Sequence, residues 1–473
     1  MTAPVPDEVI RRLKLAVGPK GWIEAEADKQ AYLVDAREIF HGATPLVLRP
    51  DSVAEVAVVV GICAGAGVGI VPQGGNTGYC GGATPDRSGG EILLSTSRLN
   101  RVRALDPLNY TITVEAGCIL AHIRQAAEEA DRLFPLSLAA EGSCQIGGNL
   151  STNAGGVAVL RYGNARDLAL GLEVVLPDGQ VWDGLTTLRK DNSGYDLKQL
   201  FLGAEGTLGV ITAATLKLFP RSRDLITVFV ALPDAEAALR LLARIRSASS
   251  DGVTSFEYLN RSCLDIVTAF IADTTDPFAE PYEHYALIEL AAGREASGLR
   301  EAAEAALAEA YEAAEVLDAT IAQSGQQAEA LWRLRETIPE AQKLAGAGMK
   351  HDVSVPLSSV PAFLRQAIAA VEEMIPGVMA IPFGHMGDGN VHFNLVQPAR
   401  ADPEEFLART HEVEARVHDI ADALDGSFSA EHGVGVLKKG ELGRYKSPVE
   451  LELMATVKRT LDPKGIMNPG KIF

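Results

Sequence analysis

The chain has 473 residues, of which 47% are hydrophobic and 22% charged, and its formal net charge is −19 at pH 7. A chain of this length and apolar content can bury a large core, which predicts two or three domains. The negative charge argues against nucleic acid or an anionic membrane surface as a partner, because both repel an acidic protein.

The cysteines and the N-terminus bear on the cellular compartment. Five cysteines occur without paired spacing, and this odd number predicts neither a disulfide framework nor a CxxC metal site. Residues Met1 to Glu8 lack the apolar stretch behind a basic segment that a signal peptide has. The longest apolar run, Val56 to Pro72, is too short to span a membrane and indicates a helix end followed by a strand. The sequence therefore predicts a cytoplasmic protein without a transmembrane segment.

The N-terminal part predicts short strands and helices that lead to a glycine-rich loop. A helix is expected at 7–16, an approach segment at 24–43, strands at 45–50 and 68–71, and a helix to about residue 64 that Asp51 or Ser52 caps. The loop Pro72-Gln73-Gly74-Gly75-Asn76-Thr77-Gly78 then follows a strand. In a Rossmann unit the glycines lie between strand and helix in a GxGxxG pattern, which does not occur here.

Such a loop can hold a phosphate group. Glycines let backbone N–H groups converge on an anion, and we expect Gln73, Asn76 and Thr77 to add side-chain donors. An ordinary surface turn has the same composition, so this loop alone does not decide between the two interpretations. Further glycine-containing segments follow in order and favour a cofactor: Glu141–Asn149, Thr152–Gly156, Leu172–Gly179 and Phe201–Thr212.

Taken together, residues 44–221 resemble the FAD-binding domain of the vanillyl-alcohol oxidase and p-cresol methylhydroxylase superfamily. The resemblance implies that Gly74–Gly78 hold the FAD pyrophosphate, that Ser143–Gly156 line the flavin and ribityl chain, and that Val210 or Ile211 presents backbone to the adenine side. No histidine lies between 72 and 82, so we expect FAD to be bound non-covalently. The residues that the resemblance assigns to FAD are Pro72, Gln73, Gly74, Gly75, Asn76, Thr77, Gly78, Glu141, Gly142, Ser143, Gly147, Gly148, Asn149, Thr152, Gly156, Gly206, Val210, Ile211 and Asn468.

Beyond Pro220 strands alternate with alanine-rich amphipathic helices, which predicts a ferredoxin-like α+β cap with a mixed sheet. The predicted strands are 224–232, 284–291, 351–355, 378–383 and 389–396. The predicted helices are 234–247, 295–315, 325–345, 358–374 and 403–424. We divide the chain into an N-terminal helical segment (1–43), an FAD-binding domain (44–221), a substrate or cap domain (222–425) and a helical C-terminal segment (426–473).

The stretch Gly384-His385-Met386-Gly387-Asp388-Gly389-Asn390-Val391-His392-Phe393-Asn394 carries the strongest signal for chemistry. Polar and apolar residues alternate at its end, so His392 and Asn394 point to one face of a strand and Val391 and Phe393 to the other. The glycine turn can fold His385 back towards His392, and two imidazoles suit a divalent metal ion. The alternative is a turn shaped by glycines beside two histidines without a ligand.

The stretch resembles the GHxGDGNxHxN element of the flavin-dependent D-2-hydroxyacid dehydrogenases, and Glu431-His432-Gly433 resembles the EHG element of that family. The resemblance implies that His385, His392 and Glu431 bind a divalent ion, zinc by expectation, and that His432 is the catalytic base. The metal would polarise the hydroxyl group of the substrate while a hydride passes to FAD.

The same family suggests how a substrate is held. Arg335 matches a position that clamps a distal carboxylate, and Lys350 and Asn394 match positions at the α-carboxylate. In the D-2-hydroxyglutarate enzymes a Thr stands four residues after the arginine, where this chain has Pro339. The C-terminal Asp462–Lys471 resembles the DPxxxxNPGK element, in which Asn468 returns to the flavin, and it is no P-loop because Ile472 replaces Ser or Thr.

The sequence therefore predicts oxidation of a D-2-hydroxy acid, with D-2-hydroxyglutarate first and D-lactate or D-malate as alternatives. A flavoprotein subunit of the glycolate-oxidase type and a metal-dependent hydrolase without flavin are the other classes left open. An electron-transfer flavoprotein or a quinone would reoxidise FAD, and a homodimer is expected from the resemblance alone.

Overall fold

The computed structural model describes residues 4–473. Residues 1–3 lie outside the described residues. The predicted N-terminal segment 1–43 and the stretch from Met1 to Glu8, for which no signal peptide is expected, both begin there. The described residues form two compact units. Unit 1 comprises 4–155, 163–221 and 431–473, and unit 2 comprises 156–162 and 222–430. Helices and strands are numbered below along the whole chain.

Unit 1 contains both of the predicted N-terminal helices and the predicted C-terminal ones. Its helices are α1 (Asp7–Val17), α2 (Glu26–Leu33), α3 (Val53–Ala66), α4 (Leu120–Glu129), α5 (Ile146–Ser151), α7 (Ala165–Leu168), α8 (Lys198–Phe201), α17 (Lys439–Tyr445) and α18 (Pro448–Leu461). Its strands are β1 (Trp22–Ile23), β2 (Val47–Leu48), β3 (Gly69–Gln73), β4 (Glu91–Ser95), β5 (Val102–Asp106), β6 (Thr111–Glu115), β7 (Arg132–Leu133), β8 (Ala169–Val175), β9 (Val181–Gly184), β10 (Val210–Lys217) and β11 (Phe219–Pro220).

The first sheet of unit 1 has the strand order β1-β2-β4-β3 and presents the end of β3 to the glycine loop. The Ser52 hydroxyl accepts the N–H of Glu55 and caps α3, as the sequence predicts. The C-terminal segment extends this sheet, because Ile70 N–H donates to Ile466 O at 2.7 Å and Asn468 N–H to Ile70 O at 2.8 Å. The second sheet is antiparallel with the order β5-β6-β10-β8-β9.

Unit 2 alternates strands and helices. Its helices are α6 (Val159–Tyr162), α9 (Ala235–Ala248), α10 (Arg261–Phe270), α11 (Leu299–Glu312), α12 (Gly325–Glu336), α13 (Ile338–Ala345), α14 (Val360–Met374), α15 (Pro403–Ala408) and α16 (Thr410–Ala423), with 3₁₀ turns at Leu357–Ser359 and Met386–Asp388. Its strands are β12 (Asp224–Leu232), β13 (Val253–Asn260), β14 (His284–Ala292), β15 (Asp318–Ile321), β16 (Gly348–Met349), β17 (Asp352–Ser354), β18 (Met379–Gly384) and β19 (Asn390–Val396).

The sheet of unit 2 contains the predicted ferredoxin-like arrangement. Elements β12, α9, β13, β14, α11 and β15 follow one another as in a β-α-β-β-α-β unit, with α10 inserted after β13. The strand order is β15-β12-β14-β13-β18-β19-β16, and β17 also pairs with β19. The predicted α+β class is confirmed. The expected mixed sheet is wrong, because every pairing in this sheet is antiparallel.

Two helices predicted as continuous are each divided. The helix expected at 325–345 breaks at Thr337, because Pro339 has no N–H group and fits only the first turn of a new helix. The helix expected at 403–424 becomes α15 and α16, which meet at Arg409. The sequence patterns predicted neither β13 nor α10. Strand β13 carries Glu257, a residue of the candidate site.

Each unit has its own apolar core. In unit 1, α1 and α3 pack with residues of the first sheet such as Leu46, Ile70 and Ile92. In unit 2, one face of the sheet packs with α9, α11, α14 and α16, and Val391 and Phe393 of β19 lie in this core. The predicted alternation along β19 is therefore confirmed. Among residues 4–473, none of the helices combines the length and apolar character that crossing a membrane requires.

Candidate functional site

The glycine loop after β3 offers backbone donors that the protein itself does not use. From Gly75 to Gly78, no backbone N–H group donates a hydrogen bond to another described residue. Asn76 has a φ of 54°, a left-handed conformation that tilts successive peptide groups towards one side. Such a run of N–H groups forms an anion-binding concavity, because each donor carries partial positive charge. The loop therefore fits a phosphate group.

Two side chains expected to bind that anion have a different role. The Gln73 amide donates to Tyr32 O and Ala83 O, both at 2.9 Å. The Asn76 amide donates to Val34 O at 2.8 Å and Ala31 O at 3.3 Å. The prediction that these amides add donors for phosphate is wrong, because both hydrogens of each amide are engaged. They hold the loop in its conformation, and the main chain is left to bind the anion.

Close packing explains a glycine in this loop and another in α5. A Cβ atom on Gly75 would lie 2.2 Å from Ser143 O, and one on Gly147 would lie 2.7 Å from the Ala116 Cβ. Both positions therefore require glycine for steric reasons. The segment Cys144–Gly148 consequently passes directly behind the loop, since Gly74 also approaches Gly148.

A cavity opens beside the loop within unit 1. The predicted cofactor residues that line it are Pro72, Gln73, Gly74, Gly75, Asn76, Thr77, Gly78, Gly147, Gly148, Asn149, Thr152, Gly206, Val210 and Ile211. Its wall also includes Tyr79, Glu205 and His432. The Oδ1 atom of Asn149 is buried and has no hydrogen-bond partner in the described part of the chain. An unpaired buried acceptor beside unused N–H donors fits a large polar ligand such as FAD.

The remaining predicted cofactor residues do not line this cavity. Glu141, Gly142 and Ser143 lie in the segment before α5, where Glu141 forms an ion pair with Arg124. Gly156 belongs to unit 2. Asn468 is 1% exposed, and its amide donates to Gly82 O at 2.8 Å and to Glu205 O at 2.7 Å. Asn468 thus holds together two segments that border the cavity.

His432 stands in a loop that a buried carboxylate anchors. Glu205 accepts the N–H of Val434 at 2.7 Å and of Gly435 at 2.8 Å. Burial raises the pKa of Glu205, and these two hydrogen bonds counteract part of that effect. The His432 ring meets Tyr79 edge to face, with ring centroids 5.0 Å apart. The motif did not predict Glu205 as a support, because the contact joins segments far apart in sequence.

In unit 2 the two predicted metal-binding histidines lie close together. Gly384 and Gly389 have φ values of 152° and 85° and flank the turn between β18 and β19. Pairing of the two strands places Phe383 opposite His392. The rings of His385 and His392 then meet with their centroids 5.5 Å apart. The predicted return of His385 towards His392 is therefore observed.

A buried glutamate that the sequence analysis missed bridges two site residues. Glu257 of β13 accepts a hydrogen bond from Arg335 Nε at 2.7 Å and contacts His385 Nδ1 at 2.7 Å. Burial alone would raise the pKa of Glu257, but the charges and hydrogen bonds of His385 and Arg335 hold it at about 2. A carboxylate at Nδ1 orients the imidazole of a histidine that serves as a metal ligand, which is the arrangement that Glu257 and His385 have here.

His392 also has a carboxylate neighbour. Asp352 of β17 pairs with His392 across the sheet, and Asp352 Oδ1 lies 3.8 Å from His392 Nδ1. The Asn390 amide donates to the same oxygen at 3.0 Å. The N–H of Ala430 donates to Asp352 O at 3.3 Å, so the chain reaches this strand one residue before Glu431. Imidazole and carboxylate groups at this spacing are a donor set that divalent ions accept.

The predicted substrate residues have different surroundings. Arg335 is 7% exposed, and its guanidinium group stacks on the Phe383 ring at 4.6 Å. Asn394 is buried, donates to Gln342 Oε1 at 3.0 Å and accepts the N–H of His351 at 3.2 Å. Lys350 is exposed and lies in the short connection between β16 and β17.

Comparison with known proteins identifies the family of the chain. Residues 44–184 match the model of an FAD binding domain. Residues 221–472 match the C-terminal domain of the FAD-linked oxidases. The chain belongs to the FAD-linked oxidase family. The prediction of an FAD-binding domain is thereby confirmed.

Curated relatives in this family cover nearly the whole chain. A protein of Xanthomonas citri pv. viticola named D-2-hydroxyglutarate dehydrogenase is 40% identical, over 91% of this chain and 89% of its own length. A protein of the same name from Stutzerimonas stutzeri is 37% identical over the full length of both chains. A mitochondrial protein of that name from Danio rerio is 39% identical, over 93% of this chain and 80% of its own.

Solved structures show the same fold. The crystal structure of p-cresol methylhydroxylase with substrate bound has a TM-score of 0.76 at 17% identity, and covers 98% of this chain and 96% of its own. The 4-ethylphenol oxidase of Gulosibacter chungangensis has a TM-score of 0.72 at 18% identity. These structures confirm the predicted p-cresol methylhydroxylase type of FAD-binding fold.

Proposed function

We propose that this protein is an FAD-dependent dehydrogenase that oxidises D-2-hydroxyglutarate to 2-oxoglutarate. The observation that carries the proposal is the likeness to D-2-hydroxyglutarate dehydrogenases over 91–100% of the chain. The unused N–H groups of the glycine loop and the close pair of His385 and His392 in unit 2 support it from the structure. An FAD-binding subunit without its own chemistry would need neither histidine.

FAD is assigned to the cavity beside the glycine loop. The N–H groups of Gly75 to Gly78 would hold the pyrophosphate, and Asn149 and Thr152 would face the ribityl chain and ring. No covalent attachment is proposed, because Pro72–Gly82 contains no histidine. FAD, when bound, supplies the acceptor for the hydride that leaves C2 of the substrate.

A divalent ion, with zinc as the first candidate, is assigned to His385, His392 and Glu431. Glu257 contacts Nδ1 of His385 and orients its ring, and Asp352 borders His392 as a further carboxylate. The ion, when bound, would act as a Lewis acid on the hydroxyl and carboxylate oxygens of the substrate.

The remaining steps belong to side chains of the protein. His432 accepts the proton of the substrate hydroxyl as general base, for which an imidazole is suited near neutral pH. Loss of the C2 hydride and of this proton converts the 2-hydroxy acid into the 2-oxo acid. Lys350 and Asn394 bind the α-carboxylate, and Arg335 binds the distal one. Glu257 fixes the position of Arg335, because it accepts a hydrogen bond from Nε and leaves the two terminal nitrogens to bind substrate.

Two features of the chain favour D-lactate as a second candidate. The Arg335 charge is already balanced by Glu257, and Pro339 replaces the Thr of the D-2-hydroxyglutarate enzymes. Both features weaken the case for a distal carboxylate. D-malate, a shorter diacid, lies between the two possibilities.

The test is anaerobic reduction of the flavin. Purified yellow protein is mixed with the D- or L-form of 2-hydroxyglutarate, malate or lactate, and the flavin absorbance is followed with and without a chelator. We expect fast bleaching by D-2-hydroxyglutarate that the chelator abolishes. Bleaching by D-lactate alone would show that Arg335 does not bind a distal carboxylate. No bleaching by any acid in a metal-loaded, yellow protein would refute the 2-hydroxy-acid function.

Three further assignments complete the proposal. The acceptor that reoxidises FAD is an electron-transfer flavoprotein or a quinone. A homodimer is proposed from the family resemblance. A cytoplasmic location is proposed because none of the five cysteines, all within the described residues, forms a disulfide.

A further inference from the structure

Unit 1 contains a second cavity that shares no lining residue with the cavity beside the glycine loop. We call it the Lys471 pocket. Thr84, Glu91 and Lys471 form its buried wall, while His41 and Arg87 stand at the exposed rim. The proposed reaction uses none of these residues.

Lys471 is a buried cation whose ammonium group lacks hydrogen bonds. The residue is 4% exposed, and the nearest carboxylate oxygen, Glu91 Oε2, lies 4.0 Å from Nζ, which is too far for a hydrogen bond. Within residues 4–473 no other acceptor is bonded to Nζ. An ammonium group carries three donors, and the ion pair with Glu91 uses none of them in a hydrogen bond. These donors are therefore open to an acceptor that enters the pocket.

Thr84 gives a second, independent observation. It is 3% exposed, lines the same pocket, and its Oγ1 has no hydrogen-bond partner among the described residues. Thr84 and Lys471 come from distant segments of the chain, yet both line one cavity. Buried hydroxyl groups are normally paired, so the unpaired Thr84 hydroxyl on the same wall as the Lys471 ammonium group indicates a polar ligand.

The charges at the pocket favour an anion. Arg87 uses only Nε, which donates to His41 O at 3.3 Å, and its terminal nitrogens face the rim. Of the two carboxylates, Asp86 accepts the N–H and hydroxyl of Ser88, and Glu91 accepts the N–H of Asp86 at 2.8 Å. Burial raises the pKa of Glu91, and the charge of Lys471 offsets part of that rise.

We propose that the Lys471 pocket binds a small oxyanion, a carboxylate or a phosphate, through the Lys471 ammonium group and the Thr84 hydroxyl. Arg87 completes the charge at the rim. The site is separate from FAD and from the substrate of the proposed reaction, so it does not rest on that function.

Calorimetric titration of the FAD-loaded full chain tests the proposal. Inorganic phosphate and malonate are titrated separately in a chloride buffer free of other oxyanions. We expect one saturable site for at least one of them, and the tighter anion identifies the chemical source. Lys471→Met should weaken that binding at least about tenfold, because the charged donor is lost. Thr84→Val keeps the side-chain shape and should weaken it about threefold.

Lys464→Met is the matched control, because Lys464 lies in the same segment, bonds Ala64 O and does not line the pocket. It should bind the anion as the unmodified protein does. If Lys471→Met does not fold, Thr84→Val carries the test. Equal anion affinity in the unmodified protein and the pocket variants would overturn the proposal, and so would binding of neither anion. Loss of FAD from a folded Lys471→Met variant would assign the pocket to the flavin site and also overturn it.

Discussion

The glycine loop of unit 1 and the histidine strands of unit 2 offer opposite kinds of groups to the ligands proposed for them. The loop offers main-chain N–H groups from Gly75 to Gly78 and uses its amide side chains only to hold itself in place. The histidine strands offer side chains, which the buried carboxylates of Glu257 and Asp352 orient. A site built from main-chain groups should lose its ligand when a side-chain atom is added where the backbone packs closely. A site built from side chains should lose its ligand when a ligating or orienting group is removed.

The largest effect is expected where atoms are added to the loop. Gly75→Ala places a Cβ 2.2 Å from Ser143 O, so the loop or the segment behind it must shift and the N–H groups lose their common direction. We expect the variant to be purified without FAD, hence without activity. The ratio of flavin to protein absorbance after gel filtration measures this.

Gly194→Ala is the control for that change, because a Cβ at Gly194 meets nothing within 4 Å. It should remain yellow. A Gly75→Ala protein that keeps its full flavin content would show that the main chain of the loop does not bind the cofactor.

Removing an imidazole tests the other region. His392→Ala should lose the metal ion and about a thousandfold or more in flavin reduction, because a ligand is deleted, while FAD stays bound. Elemental analysis and flavin absorbance on the same sample give the two readouts. His411→Ala, an exposed histidine on α16, is the control and should change neither. Loss of FAD together with metal would instead indicate a folding role for His392.

Glu257→Gln separates orientation from coordination. The variant keeps the side-chain shape but removes the charge that Arg335 and His385 share. We expect the metal affinity to fall by about 10–100-fold. The free energy of unfolding should fall by about 3–5 kcal/mol, because Arg335 remains buried without its counter-ion. Metal titration and thermal unfolding measure the two effects.

Glu309→Gln removes an exposed ion pair with Arg244 and serves as the control, with an expected change below about 1 kcal/mol. Unchanged metal affinity in Glu257→Gln would show that His385 needs no fixed tautomer and that Glu257 only balances the charge of Arg335.

The difference between the two regions also decides what the sequence can predict. The glycine loop, the helix cap at Ser52 and the alternation along β19 are local patterns, and the structure shows each of them. Glu257 is a long-range partner: it meets His385 only because β13 pairs with β18 and places Leu259 opposite Phe383. No spacing in the chain encodes that pairing, and β13 itself was not predicted.

The errors in the sequence analysis have the same physical origin. Gln73 and Asn76 have the right side chains for binding phosphate, but α2 and its following residues present carbonyl groups nearby and take both amides. The mixed sheet was expected because strands and helices alternate, whereas the order β15-β12-β14-β13 makes all neighbours antiparallel. Local chemistry identifies which groups are able to react, and only tertiary pairing determines which remain available.

The smallest effect is expected at Glu205. Its carboxylate side chain holds the main chain that follows His432. Glu205→Gln turns one acceptor oxygen into an N–H donor facing the Val434 or Gly435 N–H, so one of the two hydrogen bonds is lost. We expect kcat to fall about tenfold with KM and flavin content nearly unchanged, because a small displacement of a catalytic base is costly. Steady-state kinetics measures kcat and KM separately. Glu24→Gln is the control, because Glu24 is exposed and pairs with Lys14. A Glu205→Gln enzyme with unchanged kcat would show that the chain around His432 holds its position without this carboxylate, whereas a proportional loss of flavin would assign Glu205 to the cavity wall alone.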